Sequence, residues 1–264
     1  MASSARRLGR LPFAAVIRGR QRYQPFFHRL HRTALAGLGY GNPDPNTNGD
    51  FAFLRQLAEG WDSPTLVDAG SFHGEWTLAA LSSSPDATVY AIEPNRESYA
   101  RLQGILEGRA KIHNIAIGAV KGEAEMFAPP DAPSQGSLHR RDYSRMRGLA
   151  PPQPVGTVPV TTLDDFCAEQ GISRIDFLKL DLEGHEVAAL DGAKSLLRSG
   201  AIEAIQFEFG GANIDAGTYL RDFLDRLEGT HDLHRIIRDG LDPVAYSEDT
   251  EIFAYGNFVA LRRS

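Results

Sequence analysis

Four ionisable side chains lie within six residues of one another, at Asp181, Glu183, His185 and Glu186. They follow an apolar run at 175–180 whose composition predicts a buried strand, and ligands of open α/β sheets bind at the carboxyl ends of strands. Carboxylates and an imidazole can supply a general base, metal ligands or hydrogen-bond acceptors. The segment is therefore a predicted functional site. The competing interpretation is an ordinary helix start, because acidic residues favour the first turn of a helix.

Two earlier strands also carry acids close to their ends. The apolar segment 65–69 contains Asp68 and runs into a glycine loop, while the segment 87–92 is followed by Glu93. The loop has the spacing Asp68-x-Gly70-x-x-x-Gly74, which differs from the G-x-G-x-x-G pattern of dinucleotide sites. A carboxylate beside such a loop favours a cationic ligand, and S-adenosylmethionine carries a sulfonium and an amino group.

Glu93 lies 25 residues after Asp68. An acid at about that distance binds ribose hydroxyls in Rossmann-like folds, so Glu93 is predicted to hold the ribose. A third strand is predicted at 111–117, with Asn114–Ile117 beside the adenine. The complete set of predicted cofactor-binding residues is Asp68, Gly70, Ser71, Phe72, Glu93, Pro94, Asn95, Asn114, Ile115, Ala116 and Asp181.

Composition limits the class of protein. The chain has 264 residues, 42% of them hydrophobic, and no apolar run of about 18 residues, so a soluble α/β protein without a membrane span is expected. The single cysteine, Cys167, cannot form an intrachain disulfide, which favours a reducing compartment such as the cytoplasm. Cys167 is predicted to be structural, since no histidine lies near it in the sequence.

Residues 1–43 differ in charge from the rest of the chain. They contain eight arginines and no acid, so the remaining residues carry −6 − 8 = −14. We predict an arm with a cap helix at 1–49 and a catalytic domain at 50–264. The arm resembles a transit peptide, but a basic amphipathic helix could also touch a membrane surface, an acidic substrate or the acidic body, and the last two are favoured. Nucleic acid is not expected, because the body would repel phosphates.

Residues 128–159 contain seven prolines and the basic cluster His139-Arg140-Arg141. A long insertion without periodicity is commonly a lid or a disordered segment. Its position after the cofactor strands favours a lid over the acceptor site.

Several motifs, in order along the chain, resemble the FkbM-type methyltransferase family. They are Val67-Asp68-Ala69-Gly70, Ile92-Glu93-Pro94-Asn95, Asn114 to Gly118, Thr162 to Phe166 and Asp176 to Glu186. The resemblance covers roughly residues 37 to 210. It implies a class I, Rossmann-like, seven-stranded methyltransferase sheet with an antiparallel last strand and helices on both faces. It also implies S-adenosylmethionine as cofactor and a hydroxyl of a sugar or polyketide as acceptor.

Methyl transfer from a sulfonium is an in-line displacement, in which an alcohol acceptor must also lose its proton. His185 is the predicted base, and the strand 201–209 is predicted to bring Glu208 to the same edge. Asp181 and Glu183 complete the predicted catalytic set. A divalent metal held by Asp181, Glu183 and Glu208 is a less favoured alternative.

Two other functions stay open from the sequence alone: a non-catalytic nucleotide-binding module and a nicotinamide-dependent dehydrogenase. The expected partners are a small-molecule or glycan acceptor and, in a homo-oligomer, a second copy of the chain.

Overall fold

The computed structural model describes residues 17–132, 136–141 and 149–263. The chain divides into two compact units between Gly41 and Asn42, eight residues before the predicted boundary. The side chain of Asn48 bonds Asp50, and a Cβ on Gly49 would lie 2.1 Å from the Ile237 carbonyl oxygen. Residues 42–49 therefore pack as part of the larger unit.

The smaller unit contains a 3₁₀ turn, Gln21–Tyr23, and the α-helix Gln24–Gly37. The helical spacing of apolar residues predicts this helix. Its amino-terminal turn contains Pro25, which tolerates that position because the first amide groups of a helix have no partner inside it. None of the helix residues is buried.

The larger unit has two sheets and eight α-helices among the residues described. The strands are β1 Thr65–Ala69, β2 Thr88–Ile92, β3 Lys111–His113, β4 Ala116–Ile117, β5 Gly122–Ala128, β6 Gln153–Thr161, β7 Phe177–Leu180, β8 Ala204–Phe209, β9 His231–Ile237, β10 Gly240–Pro243 and β11 Gly256–Arg262. The helices are Asp50–Ala58, Glu75–Ser83, Arg96–Leu106, Leu163–Gln170, Glu186–Asp191, Lys194–Ser199, Gly211–Ala216 and Leu220–Leu227.

The main sheet has the strand order β10-β9-β11-β8-β7-β1-β2-β3. Strands β8, β7, β1, β2 and β3 pair in parallel, and β11 is antiparallel to both of its neighbours, β8 and β9. The predicted α/β class and antiparallel last strand are confirmed. The sheet has one strand more than predicted, because the chain folds back after β9 and adds β10 to the edge.

Helices cover both faces of this sheet. On one face, Phe53 and Trp76 pack with Leu66 and Phe177 in a buried cluster. On the other face, Phe166 meets Tyr90 edge to face, and Phe223 stacks on Phe207 with ring centroids 4.2 Å apart. The parallel strands are buried on both sides, which explains their nearly continuous apolar sequences.

The predicted third strand, 111–117, is wrong as one element. It breaks at Asn114, whose side chain bonds the backbone at 93–94, and β4 then pairs with β6 in a separate sheet of three strands. The segment 186–199 forms two short helices, Glu186–Asp191 and Lys194–Ser199, which are separated at Gly192. The carboxylate of Asp164 accepts hydrogen bonds from the amides of Ser195 and Leu196 and caps a second helix there.

The predicted insertion 128–159 is narrower in the structure. Residues 153–159 lie in β6, which pairs antiparallel with β5, so the connecting segment runs from 129 to 152. Of this segment, residues 133–135 and 142–148 lie outside the described residues. No helix in the described part of the chain is both long and apolar enough to cross a bilayer.

Candidate active site

The loop after β1 requires a glycine at its first position. Gly70 has φ +86°, and a Cβ there would lie 1.9 Å from the Asp181 carbonyl oxygen. The amides of Gly70 and Ser71 both donate to the carbonyl of Ile92, at 2.9 and 3.1 Å. The loop is therefore held tightly between the ends of β2 and β7, as the glycine spacing predicts.

Glu93 follows β2 and is fixed by backbone amides. Its Oε2 accepts from the amide of Phe72 at 2.9 Å, and its Oε1 accepts from the amide of Asn95 at 2.8 Å. Burial raises the pKa of Glu93 to about 7, although both amide bonds favour the charged form. Each oxygen keeps lone pairs for a further donor.

Glu93 lies in the wall of a cavity of about 550 Å³. The predicted cofactor residues that line this cavity are Gly70, Phe72, Glu93, Pro94, Ile115, Ala116 and Asp181. The predicted catalytic residues Glu183, His185 and Glu208 line it as well. The cavity therefore joins the two predicted halves of the site.

Three predicted cofactor residues, Asp68, Asn95 and Asn114, do not line either cavity of the site. Asp68 is fully buried; its Oδ2 accepts from Thr77 Oγ1 at 2.6 Å, and its Oδ1 lies 3.6 Å from Lys179 Nζ. Asn95 caps the helix Arg96–Leu106. Asn114 Nδ2 donates to the carbonyls of Glu93 and Pro94, both at 2.9 Å. These three side chains make their hydrogen bonds within the protein, behind the residues that line the cavity.

A smaller cavity of about 190 Å³ adjoins the larger one and shares Phe72, Asp181, Glu208 and Tyr255 with it. Ser71, also predicted to bind cofactor, lines only this smaller cavity. Four buried polar atoms of its lining residues have no hydrogen-bond partner among the described residues. They are Asp50 Oδ1, His73 Nε2, Trp76 Nε1 and Gln206 Oε1.

Charged groups surround the smaller cavity. Burial raises the pKa of Asp50 to about 6. The amide side chains of Asn48 and Asn257 donate to its Oδ2, and these hydrogen bonds oppose the rise. Lys179 Nζ lies 3.0 Å from Asp181 Oδ2. Burial alone would lower the pKa of Lys179, but the carboxylates of Asp181, Asp68 and Asp50 raise it above its ordinary value. Lys179 therefore stays protonated and balances these acids.

Glu208 lines both cavities. Within the residues that the structure describes, its carboxylate makes no hydrogen bond or ion pair. Burial raises the pKa of Glu208 well above its ordinary value, and the carboxylates of Asp181, Glu183 and Glu186 raise it further. The carboxylate can thus accept a hydrogen bond or a proton from a ligand.

The turn after β7 is held by the connecting segment. Glu183 adopts φ +51°, pairs its carboxylate with Arg141 and accepts at its carbonyl from Ser137 Oγ at 2.8 Å. Arg141 is buried and also lies 3.7 Å from Asp215 Oδ2. Ser137 and Arg141 line the larger cavity, so the segment covers the predicted acceptor side.

Glu186 stabilises the same turn from inside. Its Oε1 accepts from the amides of Leu182 and Gly184, at 2.8 and 3.2 Å, and burial raises its pKa to about 7. It does not line the cavity and acts as a cap.

His185 lines the larger cavity, and its ring lies close to His139 and Gly118. Its Nδ1 lies 3.1 Å from His139 Nε2, and its Nε2 lies 3.1 Å from where a Cβ on Gly118 would stand. Burial, followed by the neighbouring His139, lowers the pKa of His185 to about 4. The imidazole is neutral at physiological pH but is a weak base.

No three His, Cys, Asp or Glu side chains of the described residues stand close enough together to hold a metal ion. Asp181, Glu183 and Glu208 are the alternative metal ligands suggested by the sequence, but the carboxylate of Glu183 is paired with Arg141. Cys167 is buried, which raises the pKa of its thiol to about 12 and keeps it unreactive.

Several site residues were not predicted: Asp50, Lys179, Gln206, Tyr255 and Asn257. Asp68, Lys179 and Gln206 are register partners on neighbouring strands, and they form a polar row across a sheet that is otherwise apolar. A lysine inside the apolar run of β7 is the signal that could have indicated this row.

The family model for the methyltransferase FkbM domain matches residues 68–239 of this chain. Three curated relatives are similar to this chain. Methyltransferase 1 of Beauveria bassiana is 26% identical over 146 residues, which cover 50% of this chain and 59% of that protein. The 2-O-methyltransferase NoeI of Sinorhizobium fredii is 26% identical over 149 residues, 51% of this chain and 59% of that protein.

The 31-O-demethyl-FK506 methyltransferase FkbM of Streptomyces tacrolimicus is 27% identical over 169 residues, which cover 55% of this chain and 65% of that protein. Each match spans less than two thirds of the relative's length. The domain match covers well over half of the present chain. It begins within β1, at Asp68, and includes β2, β7, β8 and the turns that follow all four strands. The chain therefore belongs to the FkbM methyltransferase domain family.

Proposed function

We propose that this protein is an S-adenosylmethionine-dependent O-methyltransferase that acts on a hydroxyl of a small molecule or glycan. The observation that carries the proposal is one cavity lined both by Gly70 and Glu93 and by Asp181 and Glu208. The names of two relatives, a 2-O-methyltransferase and a 31-O-demethyl-FK506 methyltransferase, support an oxygen acceptor.

The larger cavity fits the adenosine part of the cofactor. Glu93 has free lone pairs for the ribose hydroxyls, and Ile115 and Ala116 offer an apolar wall for the adenine. Gly70 lets the loop backbone lie against the Asp181 carbonyl, so that both residues contribute to the cavity wall.

The smaller cavity fits the amino-acid end of the cofactor. Within the described structure, Asp50 Oδ1 and Gln206 Oε1 are acceptors without a partner and suit an ammonium, and Trp76 Nε1 is a donor without a partner and suits a carboxylate. A ligand that fills both cavities would satisfy these buried atoms, each of which is costly to leave unpaired.

Bound S-adenosylmethionine supplies an electrophilic methyl group on a sulfonium. The protein mainly has to align the acceptor with that group and exclude water, and such positioning is worth about 7–11 kcal/mol in favourable cases. The walls at 136–141 and 181–185 enclose the acceptor side for this purpose.

Glu208 is our first candidate for the residue that takes the acceptor's proton. Its carboxylate has no protein partner among the described residues, and its raised pKa suits general-base catalysis. His185, the base predicted from the sequence, is the second candidate because it is neutral and lines the same cavity.

Calorimetry with S-adenosylmethionine, S-adenosylhomocysteine and NAD tests the cofactor. We expect both adenosyl ligands to bind and NAD not to bind, whereas binding of NAD alone would favour the dehydrogenase. A panel of sugar and polyketide alcohols, with release of S-adenosylhomocysteine as readout, tests the reaction. Cofactor binding without turnover on any alcohol would favour the non-catalytic module.

The proposal includes no resident metal, because Arg141 already neutralises Glu183. Dialysis against a chelator should leave turnover unchanged, and its loss with recovery on adding Mg²⁺ would contradict this part. We also propose a cytoplasmic location, which the free, buried Cys167 supports.

A further inference from the structure

The helix Gln24–Gly37 has an apolar face, and none of the helix residues is buried in the described part of the chain. At 100° per residue, Phe26, Phe27, Leu30 and Ala34 fall within an arc of about 100°. Phe26 is 60% exposed and Leu30 is 51% exposed. The rings of Phe26 and Phe27 pack edge to face, with centroids 5.4 Å apart, so they form one apolar surface.

The opposite face and the flank of the helix are basic. His28 and Arg32 lie on the far side of the helix, Arg29 lies on its flank, and all three are exposed. Arg18, Arg20 and Arg22 precede it, with the Arg22 guanidinium 4.6 Å from the centroid of the Tyr23 ring. No acid occurs before Asp44, so no side chain within this part of the sequence neutralises them.

A helix of this kind needs a surface to stabilise it. Isolated helices of about 12–15 residues are marginal in water, and tertiary packing supplies most helix stability in proteins. This helix has 14 residues and buries none of them. A partner must therefore cover the apolar face while it accepts the positive charge.

The surface of an anionic lipid bilayer meets both requirements. A basic amphipathic helix lies in the interface with its apolar face between the lipid chains and its arginines among the anionic headgroups. Nucleic acid would attract the arginines but would leave Phe26 and Leu30 in water. We propose that the helix Gln24–Gly37 is a membrane-surface binding element for anionic lipid, independent of the proposed catalytic function.

Co-sedimentation of the full-length protein with vesicles tests this proposal. We expect binding to vesicles of phosphatidylcholine with 30% phosphatidylserine, and at least tenfold weaker binding to phosphatidylcholine alone. Raising the salt concentration from 0.1 to 0.5 M should weaken the binding, because ions screen the arginine charges. Equal binding to both vesicles, or binding to neither, would overturn the proposal.

Two variants separate the apolar contribution from the charge. Leu30→Ser and the double variant Arg29→Gln with Arg32→Gln should each reduce binding to the anionic vesicles at least fivefold. Val120→Ser is the matched control, because Val120 is 72% exposed in the larger unit. A control that loses as much binding as Leu30→Ser would contradict the assignment.

The other possible occupants give distinct results. If the helix covered a surface of its own chain, Leu30→Ser would lower the melting temperature while vesicles bound neither protein. If a second copy covered it, the sedimentation coefficient would rise with protein concentration and Leu30→Ser would abolish the rise. Either result, without vesicle binding, overturns the membrane assignment.

Discussion

The two halves of the candidate active site are built in different ways. The cofactor side, at the ends of β1 and β2, is held by backbone hydrogen bonds, such as those from Gly70 and Ser71 to Ile92. The acceptor side, at the ends of β7 and β8, is held by side chains far apart in the sequence, such as Arg141 and Glu183. The first half is a property of short motifs, and the second is a property of the whole fold.

This difference has a chemical counterpart. Of the predicted cofactor-binding residues before β7 that line the larger cavity in the described structure, Glu93 is the ionisable one. On the acceptor side, Asp181, Glu183, His185 and Glu208 line the same cavity. Burial raises the pKa of Glu208, and the carboxylates of Asp181, Glu183 and Glu186 raise it further. We infer that the first half recognises a constant ligand and the second is adjusted for proton transfer.

Replacing Gly70 with alanine should have the largest effect on the affinity for the cofactor. An alanine there takes an unfavourable φ that costs about 1–3 kcal/mol, and its Cβ meets the Asp181 carbonyl. We expect the affinity for S-adenosylmethionine, measured by calorimetry, to fall on the order of 100-fold or more. Gly104→Ala is the control, because its Cβ meets nothing within 4 Å.

Gly104→Ala should retain cofactor affinity and gain about 0.5–1 kcal/mol in unfolding free energy, since alanine is the better helix residue. Equal affinities of the Gly70 and Gly104 variants would contradict the tight loop described for the cofactor side.

Glu208→Gln tests the acceptor side. Removal of a general base should lower turnover roughly 10²- to 10⁴-fold, while affinity for S-adenosylmethionine changes less than about tenfold. Glu203→Gln, on the approach to the same strand, should keep full turnover because Glu203 pairs with Arg262 outside the cavity. If His185→Gln, and not Glu208→Gln, abolished turnover, the base predicted from the sequence would be correct.

A smaller effect concerns the pH dependence of stability through Glu186. Its folded pKa of about 7 exceeds the ordinary 4.5, so the folded state binds the proton more tightly. The stabilisation of the folded state that comes from this tighter proton binding is complete below pH 4.5, and it is lost as the pH rises to 7. Between pH 5 and pH 8 the wild type should therefore lose on the order of 1–3 kcal/mol of unfolding free energy through Glu186. Glu186→Gln should not show this loss, so its unfolding free energy relative to the wild type should rise by the same amount.

Urea unfolding at the two pH values measures this difference. Exposed Glu123→Gln is the control and should keep a constant difference from the wild type. A Glu186 variant that behaves like the Glu123 variant would show that the cap does not titrate with folding.

The local structure on the cofactor side follows from short-range signals in the sequence. Strand β1, the helix Arg96–Leu106 and the tight turn at Gly70 follow from apolar runs, capping residues and glycine spacing over a few positions. The environment of Asp68 was not predicted, because its burial depends on Lys179, which is 111 residues away and reaches it through strand pairing.

The acceptor side was predicted in composition but not in arrangement. The acids at 181, 183 and 208 could be identified from strand ends, yet the pairing of Glu183 with Arg141 spans 42 residues and depends on how the connecting segment folds back. The contact of His185 with His139 has the same origin. Such contacts between distant segments have no short-range signature.

The central claim is that the cofactor side binds S-adenosylmethionine and the acceptor side takes the proton. Calorimetry of S-adenosylmethionine with the wild type, Glu93→Gln and Glu208→Gln tests it most directly. We expect Glu93→Gln to bind S-adenosylmethionine at least tenfold more weakly than the wild type, because the ribose loses a carboxylate acceptor. The affinity of Glu208→Gln should stay within about tenfold of the wild type. No binding by the wild type, or unchanged binding by Glu93→Gln with loss in Glu208→Gln, would contradict it.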